Sequence, residues 1–154
     1  MEWTRIVKSS FCVIGKEGST KDGPGFVQKL WNDANANFAE IAPLAKVTKD
    51  GKLRGIWGAM TDFTHSFLPW QNNFTEGCYL AGVEVRDDAV APEGWVKWRI
   101  PACEFMVTKA EGGNAFPRAV QSLADQGIRL VGAVQEYTNP KDGVTYLYFP
   151  VARI

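Results

Sequence analysis

A repeated order of elements is the strongest constraint on how this chain of 154 residues folds. In each half, a strand-like run precedes a helical pattern, and two further strand-like runs follow it. Each helix has one apolar face, formed by Phe26, Leu30, Ala34, Phe38 and Ile41 in the first half and by Phe116, Val120, Leu123 and Ala124 in the second. The repeat predicts two βαββ units, at about residues 5–86 and 94–154, within a single domain over residues 1–154.

Two such units usually join their sheets and lay both helices on one side. We therefore predict an α+β fold, in which an antiparallel sheet carries two helices and a ligand groove follows the pseudo-symmetry axis. Residues 95–100 and 104–108 are expected to form one strand that is broken or bent near Pro101. Residues 130–137 and 145–151 are expected to supply the last two strands.

Charge and hydropathy exclude several classes of function. The 17 basic side chains equal the 17 acidic ones and the lysines are scattered, so no nucleic-acid surface is indicated. No apolar stretch approaches the length of a membrane span, and the first residues lack the regions of a signal peptide. We therefore expect a cytoplasmic protein without a membrane partner.

The metal-ligating side chains are few and far apart in the sequence. Cys12, Cys78 and Cys103 form no CxxC pair, and we expect them to be reduced and buried. The single histidine, His65, is expected in an exposed loop, and one histidine does not make a metal site. The sequence therefore predicts neither a metal ion nor a cofactor.

Glu136 is the lone acid in the otherwise uncharged run 130–137. Burying an unpaired carboxylate costs roughly several kcal/mol, so either its pKa rises or a cation comes to meet it. An acid flanked by tyrosines is typical of a site for an organic cation or a polarised aromatic ligand. The alternative is that Glu136 lies at a strand end with its carboxylate in water.

Aromatic side chains exceed what a small core needs, with six tryptophans and nine phenylalanines. Some of them could form the walls of a site around Glu136, and core packing is the alternative for each. The candidate ligand-binding residues besides Glu136 are Trp57, Trp70, Tyr79, Phe105, Tyr146 and Tyr148. Strand alternation places Tyr146 and Tyr148 on one face and leaves open which face meets the groove. Trp31 could reach the groove from the first helix.

The ordered motifs resemble the GyrI-like small-molecule-binding domain, which is also the effector-binding domain of AraC- and MerR-type regulators. The residues that carry the resemblance are 79–85, Ile100-Pro101-Ala102, 110–113, 134–137 and 148–151. The resemblance extends from about residue 11 to residue 154. It implies a duplicated βαββ fold with a central groove, in which the glutamate matched by Glu136 recognises cationic lipophilic compounds in an aromatic pocket.

The chain also departs from this family. The regulators carry a helix-turn-helix domain, for which there is no room before the first strand, so we expect no direct contact with DNA. Phe105 stands where many relatives have a tyrosine, which makes that wall more apolar. Haem-binding SOUL proteins are similar in architecture, but His65 would be the sole argument for haem binding in this chain.

Three functions remain open from the sequence. The first is a stand-alone binding protein for hydrophobic, cationic or drug-like compounds. The second is a hydrolase of cyclopropane-bearing or similar electrophiles, in which Glu136 deprotonates water and Asp62 could assist. The third is a protein-interaction module of the gyrase-inhibitor type, with gyrase or a separate regulator as its partner.

Overall fold

In the computed structural model, which describes residues 1–154, eight strands form one antiparallel sheet. The strands are β1 (Thr4–Lys8), β2 (Phe11–Ser19), β3 (Ile56–Thr61), β4 (Cys78–Val85), β5 (Val96–Ile100), β6 (Cys103–Lys109), β7 (Gln135–Thr138) and β8 (Thr145–Arg153). Their order across the sheet is β1-β6-β8-β7-β3-β4-β2-β5. The N-terminal strand therefore pairs with the second half of the chain, and β5 pairs with the first half.

The helices lie on one face of this sheet. They are α1 (Phe26–Ala36), the short α2 (Gln71–Phe74) and α3 (Ala115–Asp125), with 3₁₀ turns at Thr20–Asp22, Phe38–Glu40 and Ala42–Leu44. Ala34 of α1 packs with Ile14 and Val83, and Leu123 of α3 packs with Phe149. The predicted α+β architecture is confirmed. Helix α1 ends at Ala36, so Phe38 and Ile41 of the predicted face lie in the turns beyond it, and Ala124 of α3 is exposed whereas Ala119 is buried. None of the helices is long and apolar enough to cross a membrane.

Two short connections force the sheet to curl. Residues 9–10 join β1 to β2, and residues 101–102 join β5 to β6, yet each pair is six positions apart in the sheet. Six strand spacings measure about 29 Å in a flat sheet, whereas two linking residues span at most about 11 Å. The two edges must therefore approach each other, and the sheet forms a half-barrel with a convex face under the helices and a concave face.

The expectation of one bent strand at Pro101 is wrong. The residues on either side of it belong to different parts of the sheet, because β5 pairs with β2 while β6 pairs with β1 and β8. Proline cannot donate a ladder hydrogen bond, so Pro101 ends a strand at the point where the chain crosses between the edges.

One predicted strand is shorter than expected, because β7 begins at Gln135 rather than at residue 130. The residues before β7 bond outside the regular ladder, since the Val131 N–H donates to the Pro150 carbonyl at 2.9 Å and the Ala133 N–H to the Phe67 carbonyl at 2.9 Å.

The loop after β3 is organised by a buried carboxylate. Asp62 is 1% exposed and accepts hydrogen bonds from the Thr64 hydroxyl, the Ser66 N–H at 2.9 Å and the Leu68 N–H at 3.3 Å. Burial alone raises the pKa of Asp62, but the hydrogen bonds from Thr64, Leu68, Ser66 and Thr61 outweigh it and lower the pKa to about 2. The loop is therefore held in one conformation against the concave face, where Phe67 packs.

We expect Asp62→Asn to destabilise the protein at neutral pH. Because the folded-state pKa lies below the ordinary value of 3.8, the ionised group stabilises the fold above pH 3.8, and this contribution is lost as the pH falls through about 2. Urea unfolding at pH 7 should show a loss of about 2 kcal/mol, which disappears near pH 2. The exposed Asp50→Asn is the matched control, and equal stability of the Asp62 and Asp50 variants at pH 7 would contradict this role.

Candidate functional site

A cavity of about 270 Å³ opens on the helix-bearing face of the sheet. Its lining comes from β3, β7, the residue before β7, the loop around α2, and α3. The lining residues are Met60, Trp70, Phe74, Phe116, Val134 and Glu136. We call this cavity the cleft; its wall contains one charged side chain among five apolar ones.

Strand alternation directs Glu136 into the cleft. In the ladder, Glu136 lies between Leu147 of β8 and Gly58 of β3. Leu147 packs in the apolar cluster under α3, so residues in register with it face the helices. The neighbour of Glu136, Tyr137, consequently points to the concave face, where it contacts Trp57.

A glycine at position 58 makes room for the polar pair of the cleft. The Tyr79 hydroxyl donates to Glu136 Oε1 at 3.0 Å, reaching across β3 from β4. A Cβ atom at Gly58 would lie 2.9 Å from Glu136 Oε1 and would collide with the Tyr79 hydroxyl. Glycine is therefore required at position 58 by this close approach, not by its backbone angles.

Tyr79 is itself held from the α1 side. Trp31 Nε1 donates to the Tyr79 hydroxyl oxygen at 3.1 Å, so a chain of two hydrogen bonds runs from Trp31 to the Glu136 carboxylate. The rings of Phe26 and Trp31 meet Tyr79 edge-on, at 6.5 and 6.4 Å between centroids. This packing fixes the tyrosine as a hydrogen-bond donor to the acid.

The Glu136 carboxylate has no cationic partner in the protein. Eight ion pairs occur in the structure, and none of them includes Glu136. Burial raises the pKa of Glu136, and the Tyr79 hydrogen bond only partly opposes this effect. Burial, and then the nearby Glu136 charge, raise the pKa of Tyr79 far above its usual value, so the phenol stays protonated.

These pKa directions have a consequence for stability. Because the folded-state pKa of Glu136 lies above its ordinary value of 4.5, ionisation of the empty site opposes folding as the pH rises through that raised pKa. The carboxylate therefore destabilises the empty protein at neutral pH. A bound cation would remove that cost.

The outer wall of the cleft comes from the connection between β3 and β4. Trp70 packs over Gly77, where a Cβ atom would collide with the indole ring, and its Nε1 donates to the Cys78 carbonyl at 3.0 Å. Phe74 meets Phe116 of α3 edge-on at 5.6 Å. Two aromatic rings from this connection thus reach the cleft, and one of them closes against α3.

The structure brings together three of the seven ligand-binding residues proposed from the sequence. Glu136 and Trp70 line the cleft, and Tyr79 is hydrogen-bonded to Glu136. The other four residues, Trp57, Phe105, Tyr146 and Tyr148, project from the opposite face of the sheet and do not reach the cleft. Tyr146 and Tyr148 point away from the cleft because Glu136 is in register with Leu147, and the two tyrosines are its neighbours along β8.

Each of these four residues has a defined place on the concave face. Trp57 is 2% exposed and donates to Glu84 Oε1 at 3.2 Å, and Phe105 is buried against Tyr148 at 5.4 Å between centroids. Tyr146 and Tyr148 line a second cavity of about 480 Å³ with Thr4, Ile6, Tyr137 and other residues.

Asp62 does not assist Glu136, because its oxygens bind the loop that follows β3. Five residues in or beside the cleft were not predicted from the sequence: Gly58, Met60, Phe74, Phe116 and Val134. Val134 could have been found, because it lies two positions before Glu136. The other four depend on the pairing of distant strands or on the connection from β3 to β4.

Comparison with known proteins gives matches only at the level of structure. No family model and no curated protein matches the sequence. The EcmrR C-terminal domain superposes with a TM-score of 0.64 at 17% identity, covering 99% of this chain and 98% of that one. SAV2435, solved with bound tetraphenylphosphonium, gives 0.62 at 16% identity over 98% and 94% of the chains. A hydrolase from Listeria innocua gives 0.51 at 14% identity over 98% and 92%.

Likeness at these identities shows a shared fold. The curled antiparallel sheet with helices on one face matches these neighbours over nearly the whole chain. The GyrI-like fold that the sequence motifs implied is therefore confirmed.

We expect Gly58→Ala to break the Tyr79–Glu136 hydrogen bond. The new methyl group must displace the tyrosine hydroxyl, and overpacking of this kind costs about 1–3 kcal/mol. Thermal unfolding should show the loss. Gly113→Ala is the matched control, because a Cβ atom there meets nothing within 4 Å. Equal melting temperatures for the two variants would contradict the close approach at Gly58.

Proposed function

We propose that this protein binds hydrophobic organic cations in the cleft, with Glu136 as the counter-charge. The observation that carries the proposal is that the single charged group in the cleft wall is a carboxylate without a cationic partner. Sites for small molecules are mostly apolar and contain a few polar groups that fix orientation and specificity. Here the polar group selects for positive charge.

The aromatic walls make such binding favourable. An ion pair buried away from water roughly breaks even against the cost of desolvation, so the pair alone gives little affinity. Trp70, Phe74 and Phe116 line the same cavity as Glu136. Each ring face that a cation reaches contributes about 0.5–2 kcal/mol, in addition to the burial of the ligand's apolar surface. A cation with apolar substituents uses both contributions.

The size of the cleft limits the ligand. At about 270 Å³ it lies just below the usual range of about 300–1,000 Å³ for ligand pockets. This favours a compact cation, or a larger one that is only partly enclosed. A neutral ligand leaves Glu136 uncompensated, and an anion is repelled by it.

One structural neighbour supports this class of ligand. Tetraphenylphosphonium, which is bound in the SAV2435 structure, is an organic cation with apolar rings around its charge. It has no hydrogen-bond donor, so it tests the counter-charge and the aromatic walls without other polar contacts. It is therefore a suitable probe for the cleft.

A hydrolase is the second candidate function. Its specific support is the Glu136 carboxylate of raised pKa, which is hydrogen-bonded to the protonated Tyr79 in an apolar cleft. A carboxylate with a raised pKa is a stronger base toward water, and the proton that it accepts can pass to the opened ring. Turnover of a cyclopropane- or epoxide-bearing compound, abolished in Glu136→Gln, distinguishes catalysis from binding alone.

We expect tetraphenylphosphonium to bind the wild-type protein and Glu136→Gln to weaken this binding at least tenfold. The substitution keeps the size of the side chain and removes its charge, and tenfold corresponds to about 1.4 kcal/mol. Binding is measured by quenching of tryptophan fluorescence, since Trp70 lines the cleft. Wild-type affinity should rise with pH up to the raised pKa of Glu136 and then level off, while the affinity of the variant should not change with pH.

Two controls make this experiment specific. Glu93→Gln removes one exposed carboxylate outside the cleft and should leave the affinity unchanged. Triphenylphosphine oxide, a neutral relative of the probe, should bind wild type no more tightly than Glu136→Gln, because it leaves the Glu136 charge uncompensated. Equal tetraphenylphosphonium affinity in wild type and Glu136→Gln would overturn the proposal, and a protein-interaction role would survive that result.

A further inference from the structure

Three metal-ligating side chains meet on the concave side of the sheet, away from the cleft. Glu17, His65 and Cys78 each present one ligand atom, and all three atoms lie within 4.8 Å of one another. His65 Nε2 and Glu17 Oε2 are 3.1 Å apart. We propose that this cluster binds a divalent transition-metal ion of the zinc class.

The fold brings these residues together from three distant segments. In the β2–β4 ladder Glu17 is opposite Leu80 and Ser19 is opposite Cys78, so Glu17 and Cys78 project from the same face of neighbouring strands. Thr61, the last residue of β3, is opposite Cys78, and the following loop therefore begins beside the thiol. The hydrogen bonds to Asp62 hold that loop while it carries His65 back toward Glu17.

The backbone at His65 has a conformation that residues other than glycine rarely adopt. Its φ is 57°, in the left-handed region. A residue kept in this region is strained, and such residues concentrate at functional sites. The backbone conformation does not identify the ligand, but with it the His65 imidazole lies beside the Glu17 carboxylate and the Cys78 thiol.

The ligand set and its spacing suit zinc. Zinc binds sulfur at about 2.3 Å and nitrogen or oxygen at about 2.0–2.2 Å, so ligand atoms in a tetrahedral site lie roughly 3–4 Å apart. The pair of His65 and Glu17 already has this spacing, and the Cys78 sulfur lies within 4.8 Å of both ligand atoms, so a small shift of the side chains completes the set. The His65 and Glu17 side chains are 45% and 26% exposed, so they can shift and the ion can enter.

The surroundings favour a cation. Trp98 Nε1 donates to Glu17 Oε1 at 2.6 Å, which orients the carboxylate and leaves Oε2 facing the histidine. Supporting hydrogen bonds of this kind are usual around metal ligands. Glu17 itself brings a negative charge to the cluster, which a bound cation neutralises.

The same chemistry excludes other ions and leaves a coordination position open. Thiolate and imidazole ligands select zinc and similar transition metals, whereas magnesium and calcium require oxygen ligands. Three protein ligands on a tetrahedral ion leave the fourth position for water or an exogenous ligand. The sequence alone predicts no metal site, because positions 17, 65 and 78 match no ligand spacing that is recognisable before the chain is folded.

Cobalt(II) provides a direct test with untagged, reduced protein. We expect one equivalent of Co²⁺ to produce a thiolate-to-cobalt charge-transfer band together with the visible bands of a tetrahedral site, and one equivalent of Zn²⁺ to remove them. Cys78→Ser should abolish the charge-transfer band. His65→Gln should weaken Co²⁺ affinity about tenfold or more, the loss that follows even when a residue supporting a metal ligand is removed.

The controls separate this site from misfolding and from the cleft. Cys103→Ser removes another buried free cysteine and should leave the cobalt spectrum unchanged. Because His65 is exposed, His65→Gln should keep the circular dichroism of the wild type. Absence of the thiolate band in wild type, or its persistence in Cys78→Ser, would overturn the proposal. Either result leaves cation binding at Glu136 unaffected, because the two sites lie on opposite faces of the sheet.

Discussion

One carboxylate without a cationic partner accounts for the arrangement of side chains around the cleft. Glu136 is directed by strand alternation into an apolar cleft, where the protein supplies a neutral tyrosine donor but no positive charge. Gly58 has no side chain and so leaves room for Tyr79, and Trp31 donates a hydrogen bond to the Tyr79 hydroxyl oxygen. The protein thereby keeps a charge that destabilises its empty state. Such a cost is expected where a ligand, and not the fold, provides the compensating interaction.

Curling of the sheet gives the molecule two distinct faces, and the two proposed sites lie on opposite ones. The two-residue connections at 9–10 and 101–102 bring the sheet edges together, so that the convex face carries the helices and the concave face is narrow and rich in aromatic residues. Side chains of adjacent residues in a strand project from opposite faces. Tyr79 supports the Glu136 cleft, whereas Cys78 belongs to the cluster with His65 and Glu17, and the connection from β3 to β4 contributes side chains to both.

Local patterns predicted much of the fold and part of the site. The helical spacing of apolar residues gave most of both helix faces, and the lone acid of its run gave Glu136, because these signals are local in the sequence. Strand alternation gives parity inside a strand but not the register between strands, so it could not show that Trp57, Tyr146 and Tyr148 face away from Glu136. The separation of β5 from β6 at Pro101 depends on the same long-range pairing. The cluster at His65 needs three segments to meet and has no local signal.

We propose that Glu136 is an uncompensated acid that a bound cation neutralises. Carbon-13 NMR of the side-chain carboxyl groups, followed against pH, measures this directly in the free protein and with saturating tetraphenylphosphonium. We predict that the carboxyl pKa of Glu136 lies above 4.5 in the free protein and falls when the cation binds. An ordinary pKa in the free protein, unchanged by the cation, would contradict the account.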